Sequence, residues 1–273
     1  MATLDVPGTA LHHQVRGSGP LLLIAQSGEG DADRGKDLVD ALADDHTVVT
    51  YDRRGLSRSR FDGPVTIADH ADDVHRLLAA LTDEPALVLG CSLGAVIGLH
   101  LVARHPEQVG TLVAHEPVAP WLLPDADRHR RELLDIQAEY RRGGLAVALR
   151  EVARVLGIDP VGQDTEPDLT PEPMTPARVA NFDFFLTRDF DAVVRDDLRL
   201  GPTPVRIVPA AGRTTPRTIF DHRCATALAD RLGVAVEEFP GGHNGNTTHP
   251  RAYAARLREV LAGAREPVSR AAR

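Results

Sequence analysis

Cysteine is scarce in this chain: of 273 residues only Cys91 and Cys224 carry a thiol, too few for a disulfide framework. Cys91 reads as a small buried hydrophobe at a strand end rather than as a nucleophile. Lysine is scarcer still, occurring once, at Lys36, so nearly all positive charge is arginine. With 31 basic against 39 acidic residues the net charge is −8. No basic block offsets it, which argues against nucleic acid as a partner. Residues Met1 to Pro7 offer neither a basic n-region nor an apolar h-region, so no secretory signal is expected. No apolar run approaches the ~20 residues needed to span a bilayer. These absences make a cytoplasmic protein with no membrane partner the expectation. No His/Cys/Asp cluster has ligand spacing, so neither a metal nor a cofactor is implied.

What is present is ordinary in amount, 42% hydrophobic and 26% charged, and its arrangement carries the information. The length suits one large α/β domain with an insertion. The stretch Ala86 to Gly98 is the most informative. Ala86 to Leu89 is a short apolar run, typical of a strand buried on both faces. From Leu93 a helical pattern runs to His105, where Pro106 stops it. Between them lies Gly90-Cys91-Ser92-Leu93-Gly94, a G-x-S-x-G match at a strand-to-helix turn. Such a turn strains the serine backbone, lifts the hydroxyl over the sheet edge and aims the next amide, Leu93 N–H, at the same spot.

Along the chain, apolar runs at Leu21–Ala25, Thr47–Tyr51, Ala86–Leu89 and Thr111–His115 alternate with helical patterns over 31–43, over Ile67 to Leu81 behind a Thr66-x-x-Asp69 capping box, and from Leu93. That alternation predicts a doubly wound, mostly parallel sheet. It breaks at Glu116-Pro117. No strand is expected from there to about Leu200; instead 132–140, 145–156 and 178–190 read as helices, with an acidic, Pro-rich stretch at 157–176. The sheet resumes at 204–208 and 234–239, and a last helix opens at Pro250. The expected organisation is a core of 1–117 and 201–265, a helical cap of 118–200, and a disordered tail of 266–273. Most of the aromatic residues lie in the cap. They form its own core in the plainer reading, while Trp121, Phe184 and Phe185 are candidates to face the serine and shape an apolar pocket.

The order of strands, Gly90-x-Ser92-x-Gly94, a cap after the next strand and a histidine loop after the last strand together resemble the α/β-hydrolase superfamily, roughly from Thr9 to Ala262. Within it the chain resembles small capped esterase- and lactonase-like members, which carry Asp52-Arg-Arg-Gly55 and Pro240-Gly-Gly-His-Asn-Gly245 in similar form. These motifs point to the fold and its catalytic machinery, not to a substrate. The resemblance implies Ser92 as nucleophile and His243, in a Gly-rich loop after the last strand, as its base. The expected activity is hydrolysis of a carboxylic ester, thioester or lactone of an apolar small molecule. Aspartate-nucleophile branches do not fit Ser92, whereas hydrolytic C–C cleavage stays open.

Two departures from the family pattern stand out. The acid that usually follows the strand at 205–208 is replaced by Thr214 and Thr215, which carry no charge. Asp221 falls several residues late. Some members place the acid after the strand that follows the nucleophile, where this chain has Glu116, the preferred candidate. The alternatives are that Glu116 only caps a strand end, leaving a Ser–His dyad, or that the chain binds a ligand without hydrolysing it. The usual His-Gly-x-x-Gly oxyanion loop reads Ala25-Gln-Ser-Gly-Glu-Gly30. An amide of Gln26 or Ser27 is expected to join Leu93 N–H there, and the Gln26 side chain either adds a donor or fills space.

Overall fold

A computed structural model describes residues 2–159 and 162–263. The expected tail at 266–273 lies outside the described residues. Eight strands form one sheet: β1 (Ala2–Val6), β2 (Thr9–Arg16), β3 (Leu21–Ala25), β4 (Thr47–Tyr51), β5 (Ala86–Cys91), β6 (Val109–His115), β7 (Arg206–Gly212) and β8 (Glu237–Phe239). Their order is β1-β2-β4-β3-β5-β6-β7-β8. The β1–β2 and β2–β4 pairs are antiparallel, and all later pairs are parallel. From β3 the chain steps one way to β4, then crosses back to β5. The order therefore reverses between β3 and β5, and the carboxyl ends of strands at such a switch point are where ligands of open α/β sheets bind.

Alternation along the central strands sends successive residues to opposite faces. Leu23 and Ala25 join a core under α2 (Ile67–Leu81) and α3 (Leu93–Arg104), while Leu22 and Ile24 join another under α1 (Lys36–Leu42) and α10 (Pro250–Ala262). The capping box forms as the sequence suggests: Asp69 N–H donates to Thr66 Oγ1 (3.1 Å) and Thr66 N–H to Asp69 Oδ2 (2.8 Å). Among the described residues no helix is long and apolar enough to cross a membrane.

Between β6 and β7 there is no strand among the described residues, as expected. The segment holds α4 (Ala126–Gly143), α5 (Leu145–Val155), α6 (Pro176–Phe184), a π-helical turn (Phe185–Asp189) and α7 (Phe190–Arg195). The Pro-rich stretch before α6 straps back onto the core. Glu166 accepts the amides of Arg251 (3.1 Å) and Ala252 (2.8 Å) at the start of α10. Thr170 donates to Asp37, and Gly35 N–H donates to Glu172 (2.7 Å). The remaining α-helices are α8 (Phe220–Leu232) and α9 (Gly245–Thr248).

Candidate active site

Ser92 follows β5 with φ 55° and ψ −113°, a strained conformation for a residue with a side chain. Its flanking glycines explain how the turn closes. A β-carbon at Gly94 would fall 1.9 Å from the Ala25 carbonyl oxygen, and one at Gly90 would fall 2.6 Å from Ala95 Cα. The elbow is therefore pressed against the end of β3, which brings Leu93 and the Gln26–Ser27 loop to one place. Ser92 N–H donates to the His115 carbonyl (2.9 Å), extending the β5–β6 ladder in which Cys91 opposes His115. Glu116, the residue after that strand, thus lies beside Ser92.

Glu116 is itself in the left-handed region, at φ 45°. Its amide donates to the Ala210 carbonyl (2.9 Å), and its Oε1 accepts Gly212 N–H (2.8 Å). This leaves Oε2 at 2.7 Å from His243 Nδ1, with both side chains buried. His243 comes from the loop after β8, which turns tightly enough for Gly245 N–H to donate to the Gly242 carbonyl (2.9 Å). Glu116 thus caps Gly212 with one oxygen and meets the imidazole with the other.

Asp221, set aside in the sequence as several residues late, also reaches this imidazole. After β7 the chain makes two turns, Thr215 N–H to Gly212 O (3.1 Å) and Ile219 N–H to Pro216 O (2.9 Å), and α8 begins at Phe220 rather than at Arg223. The coiling returns Asp221 to the end of β7. Its Oδ2 lies against His243 Nδ1, but off the N–H direction, so this buried oxygen makes no hydrogen bond there. Its Oδ1 accepts the His222 amide (3.0 Å). Thr214 and Thr215 pack beside Gly242, and the Thr215 hydroxyl is buried without a partner.

The electrostatics of these groups diverge. Burial raises Asp221, Glu116's negative charge adds to it, and the His243 contacts only partly oppose them; its carboxyl is pushed up to about 7. Burial alone would also raise Glu116, but the His243 hydrogen bond and nearby imidazoles outweigh it and hold its carboxyl low, at about 2. Burial lowers His243, and the Asp221 and Glu116 carboxyl groups more than reverse this, so it is raised above an ordinary imidazole. Two full negative charges within 4.8 Å would repel by about 3–4 kcal/mol at an effective protein dielectric, so they do not ionise alike. The three groups place one ligand-type atom each within that distance. The Glu116–Nδ1 separation, however, is a hydrogen bond's, shorter than the roughly 3.3 Å between ligand atoms around a tetrahedral ion. A cation would need both a wider cluster and the Nδ1 proton removed.

The other expected site residues sort themselves differently. The Gln26 side chain donates to the Arg34 carbonyl (2.9 Å) and accepts from Asn246 Nδ2 (3.4 Å), so it braces the loop rather than offering a free donor. Phe185 lies on the same loop: a β-carbon at Gly28 would come within 2.6 Å of its ring. Phe184 sits on Gly55 in the same manner. Trp121 is engaged elsewhere, donating its indole N–H to Asp196 (2.8 Å) beneath the Arg231 guanidinium. The Asp52-Arg53-Arg54-Gly55 motif proves to be a bracing motif. Asp52 accepts Ala32 N–H (2.8 Å) and Arg54 pairs with Asp73. Arg53 donates to the Gly28 carbonyl and to Asp189 of the π-helical turn, both at 2.5 Å. His70 Nε2 meets the other Asp189 oxygen at 2.9 Å. Nothing in the sequence pattern signals that buried triplet, because its members are 17 and 119 residues apart.

The fold and the elbow at a topological switch point define an α/β hydrolase, and the chain belongs to that family. Residues 20–140 match the alpha/beta hydrolase fold family. The chain is 36% identical over 271 residues, 95% of each protein, to an uncharacterized hydrolase, YraK, of Bacillus subtilis (strain 168). Among solved structures it is similar to an esterase, EaEST, from Exiguobacterium antarcticum (TM-score 0.76, 17% identity, covering 94% of this chain and 97% of that one). It is also similar to the enol-lactonase from Burkholderia xenovorans LB400 (TM-score 0.68, 21% identity, 96% and 100% covered).

Proposed function

We propose that this hydrolase cleaves a carboxylic ester, thioester or lactone of an apolar small molecule through an acyl-enzyme on Ser92. The observation that carries the reading is the buried 2.7 Å contact between Glu116 and His243 Nδ1 at the same sheet edge as the strained Ser92 elbow. With Nδ1 engaged, the imidazole is held in the tautomer whose Nε2 can accept the serine proton. Ser92 Oγ attacks the carbonyl carbon, His243 takes its proton and passes it to the leaving oxygen or sulfur, and water then releases the acyl group by the reverse proton path. The developing oxyanion is met by Leu93 N–H and an amide of the Gln26–Ser27 loop. The helices between β6 and β7 act as a cap, with Phe184 and Phe185 as its apolar floor over loops 26–30 and 52–58. The esterase and enol-lactonase among the structural neighbours are consistent with this substrate class.

The test is labelling by a fluorophosphonate probe, paired with turnover on p-nitrophenyl esters and lactones. Wild type should label at Ser92 and turn over, whereas Ser92→Ala should stay folded, resist labelling and lose about a thousandfold or more in kcat. A folded Ser92→Ala variant that still turns over near the wild-type rate would remove Ser92 from the reaction.

A further inference from the structure

The His243 imidazole is faced by two buried carboxyl groups, although one suffices to orient it. They are not equivalent. Glu116 lies in line with Nδ1 and uses both oxygens, one on His243 and one on Gly212 N–H. Asp221 uses Oδ1 on the His222 amide and leaves Oδ2 without a hydrogen bond, fully buried between Glu116 and His243. A bare carboxylate oxygen in that position would face another carboxylate, with only the Nδ1 edge of the resting, neutral imidazole beside it. A protonated one would be a donor facing an acceptor, for the ligand-type atoms of Glu116, Asp221 and His243 all lie within 4.8 Å of one another.

We propose that Asp221 is a positioning residue that carries a proton on Oδ2 and donates it to Glu116, so that His243 faces one carboxylate and one neutral acid. This rests on the reading of Ser92 and His243 above. The arrangement gives a partner to each of the atoms that meet here. Nδ1–H donates to Glu116 Oε2, Asp221 Oδ2–H donates to the Glu116 carboxylate, and Gly212 N–H completes Oε1. It also sets the charge balance: Glu116 keeps its negative charge for the imidazolium formed during turnover, and the accepted hydrogen bond moderates its basicity. The ionisable groups that face Asp221 are Glu116 from the end of β6, His243 from the loop after β8 and Cys224 one turn along α8; His115 lies behind Glu116. Cys224 is raised by burial and stays a neutral thiol, and burial holds His115 neutral, so neither competes for this proton. The upward displacement of Asp221 agrees with the assignment.

Infrared difference spectroscopy of the full chain reads the proton directly, whatever the turnover. The wild-type minus Asp221→Asn difference at pH 6 should show the C=O stretch of a protonated carboxyl, replaced by carboxylate stretches at pH 9. A difference at pH 6 that holds only carboxylate stretches would overturn the proposal. Should Asp221→Asn fail to fold, Glu116→Gln serves instead. Asp221 is then the sole carboxylate beside the imidazole and should ionise, so the protonated band appears in wild type alone; its persistence in the variant would count against the proposal. Fluorophosphonate labelling of Ser92 on the same preparations separates these outcomes from a failure of the nucleophile assignment.

Discussion

At the scale of single residues, the site is governed by where Glu116 points. Its positive φ turns the carboxylate from the line of β6 across to β7 and the histidine loop. A strand-end glutamate followed by proline gives no sign of that in the sequence, and the threonines at 214 and 215 suggested a missing acid. The motive for expecting a non-hydrolytic binder is an imidazole without a carboxylate, whereas in the fold His243 Nδ1 has Glu116 Oε2 at 2.7 Å. Glu116→Gln should lower the plateau of kcat/KM by about ten- to a thousandfold, the wide span reflecting whether Asp221 substitutes. Because Asp221 ionises once Glu116 is gone, the charge that raises His243 is lost only in the Glu116→Gln/Asp221→Asn double variant, whose ascending limb should move toward acid, since a less stabilised imidazolium sheds its proton earlier. A limb that stays in place in the double variant would dissociate the two carboxyl groups from the base. Asp221 makes a separate stability prediction. Its carboxyl is displaced from 3.8 to about 7, so between those values the native protein keeps a proton that the unfolded chain has shed. The contribution of Asp221 to stability is thus full below about pH 4 and declines as pH rises toward 7. Subtracting the urea unfolding free energies of Asp221→Asn from those of wild type over pH 4–8 should reveal this downward slope.

At the scale of elements, the elbow is the part with the least tolerance. Gly94 leaves no room for a side chain against backbone, since β3 and α3 meet at that point. Gly94→Ala should shift α3 away from Ala25, cost about 1–3 kcal/mol or more as an overpacked contact does, and abolish turnover by parting Leu93 N–H from the Gln26–Ser27 loop. A thermal melt with an ester assay checks both; unchanged Tm and rate would mean that the loop gives way freely. Other elements differ from expectation for local reasons. The helix expected over 31–43 begins only at Lys36, because Ala32 and Gly35 amides are taken by Asp52 and Glu172 and Gly35 adopts φ 71°. The helix expected over 178–190 is interrupted by the π-helical turn, whose extra residue accompanies the placing of Phe185 on Gly28 and Asp189 on Arg53.

At the scale of the whole molecule, the question is how the helices between β6 and β7 are held over the core. The answer is a set of buried polar links rather than apolar contact alone. Arg53 and His70 grip Asp189, His100 grips Asp196, and Asn181 bridges Ser57, Asp31 and Glu29. Breaking one partner of a buried pair leaves the other uncompensated. Asp189→Asn should accordingly destabilise by about 3–5 kcal/mol, while Glu139→Gln, which breaks the exposed pair with Arg142, should change stability by less than about 1 kcal/mol. Chemical denaturation of the two variants compares them directly, and equal midpoints would deny the Asp189 cluster its holding role.

The alternation of short apolar runs with helical stripes determined the fold class, because strands buried on two faces and helices buried on one leave different periods in the chain. The Gly90 to Gly94 spacing determined where the elbow stands, because backbone crowding there admits no side chain. A local pattern sufficed for both. The partners of His243 are another matter. Glu116, Asp221 and the imidazole come from three segments, and only the coiling of residues 212–220 and the left-handed turn at Glu116 bring two carboxyl groups to one nitrogen. Which of them keeps its proton depends on burial and on the other's charge, quantities that exist only once the chain has folded.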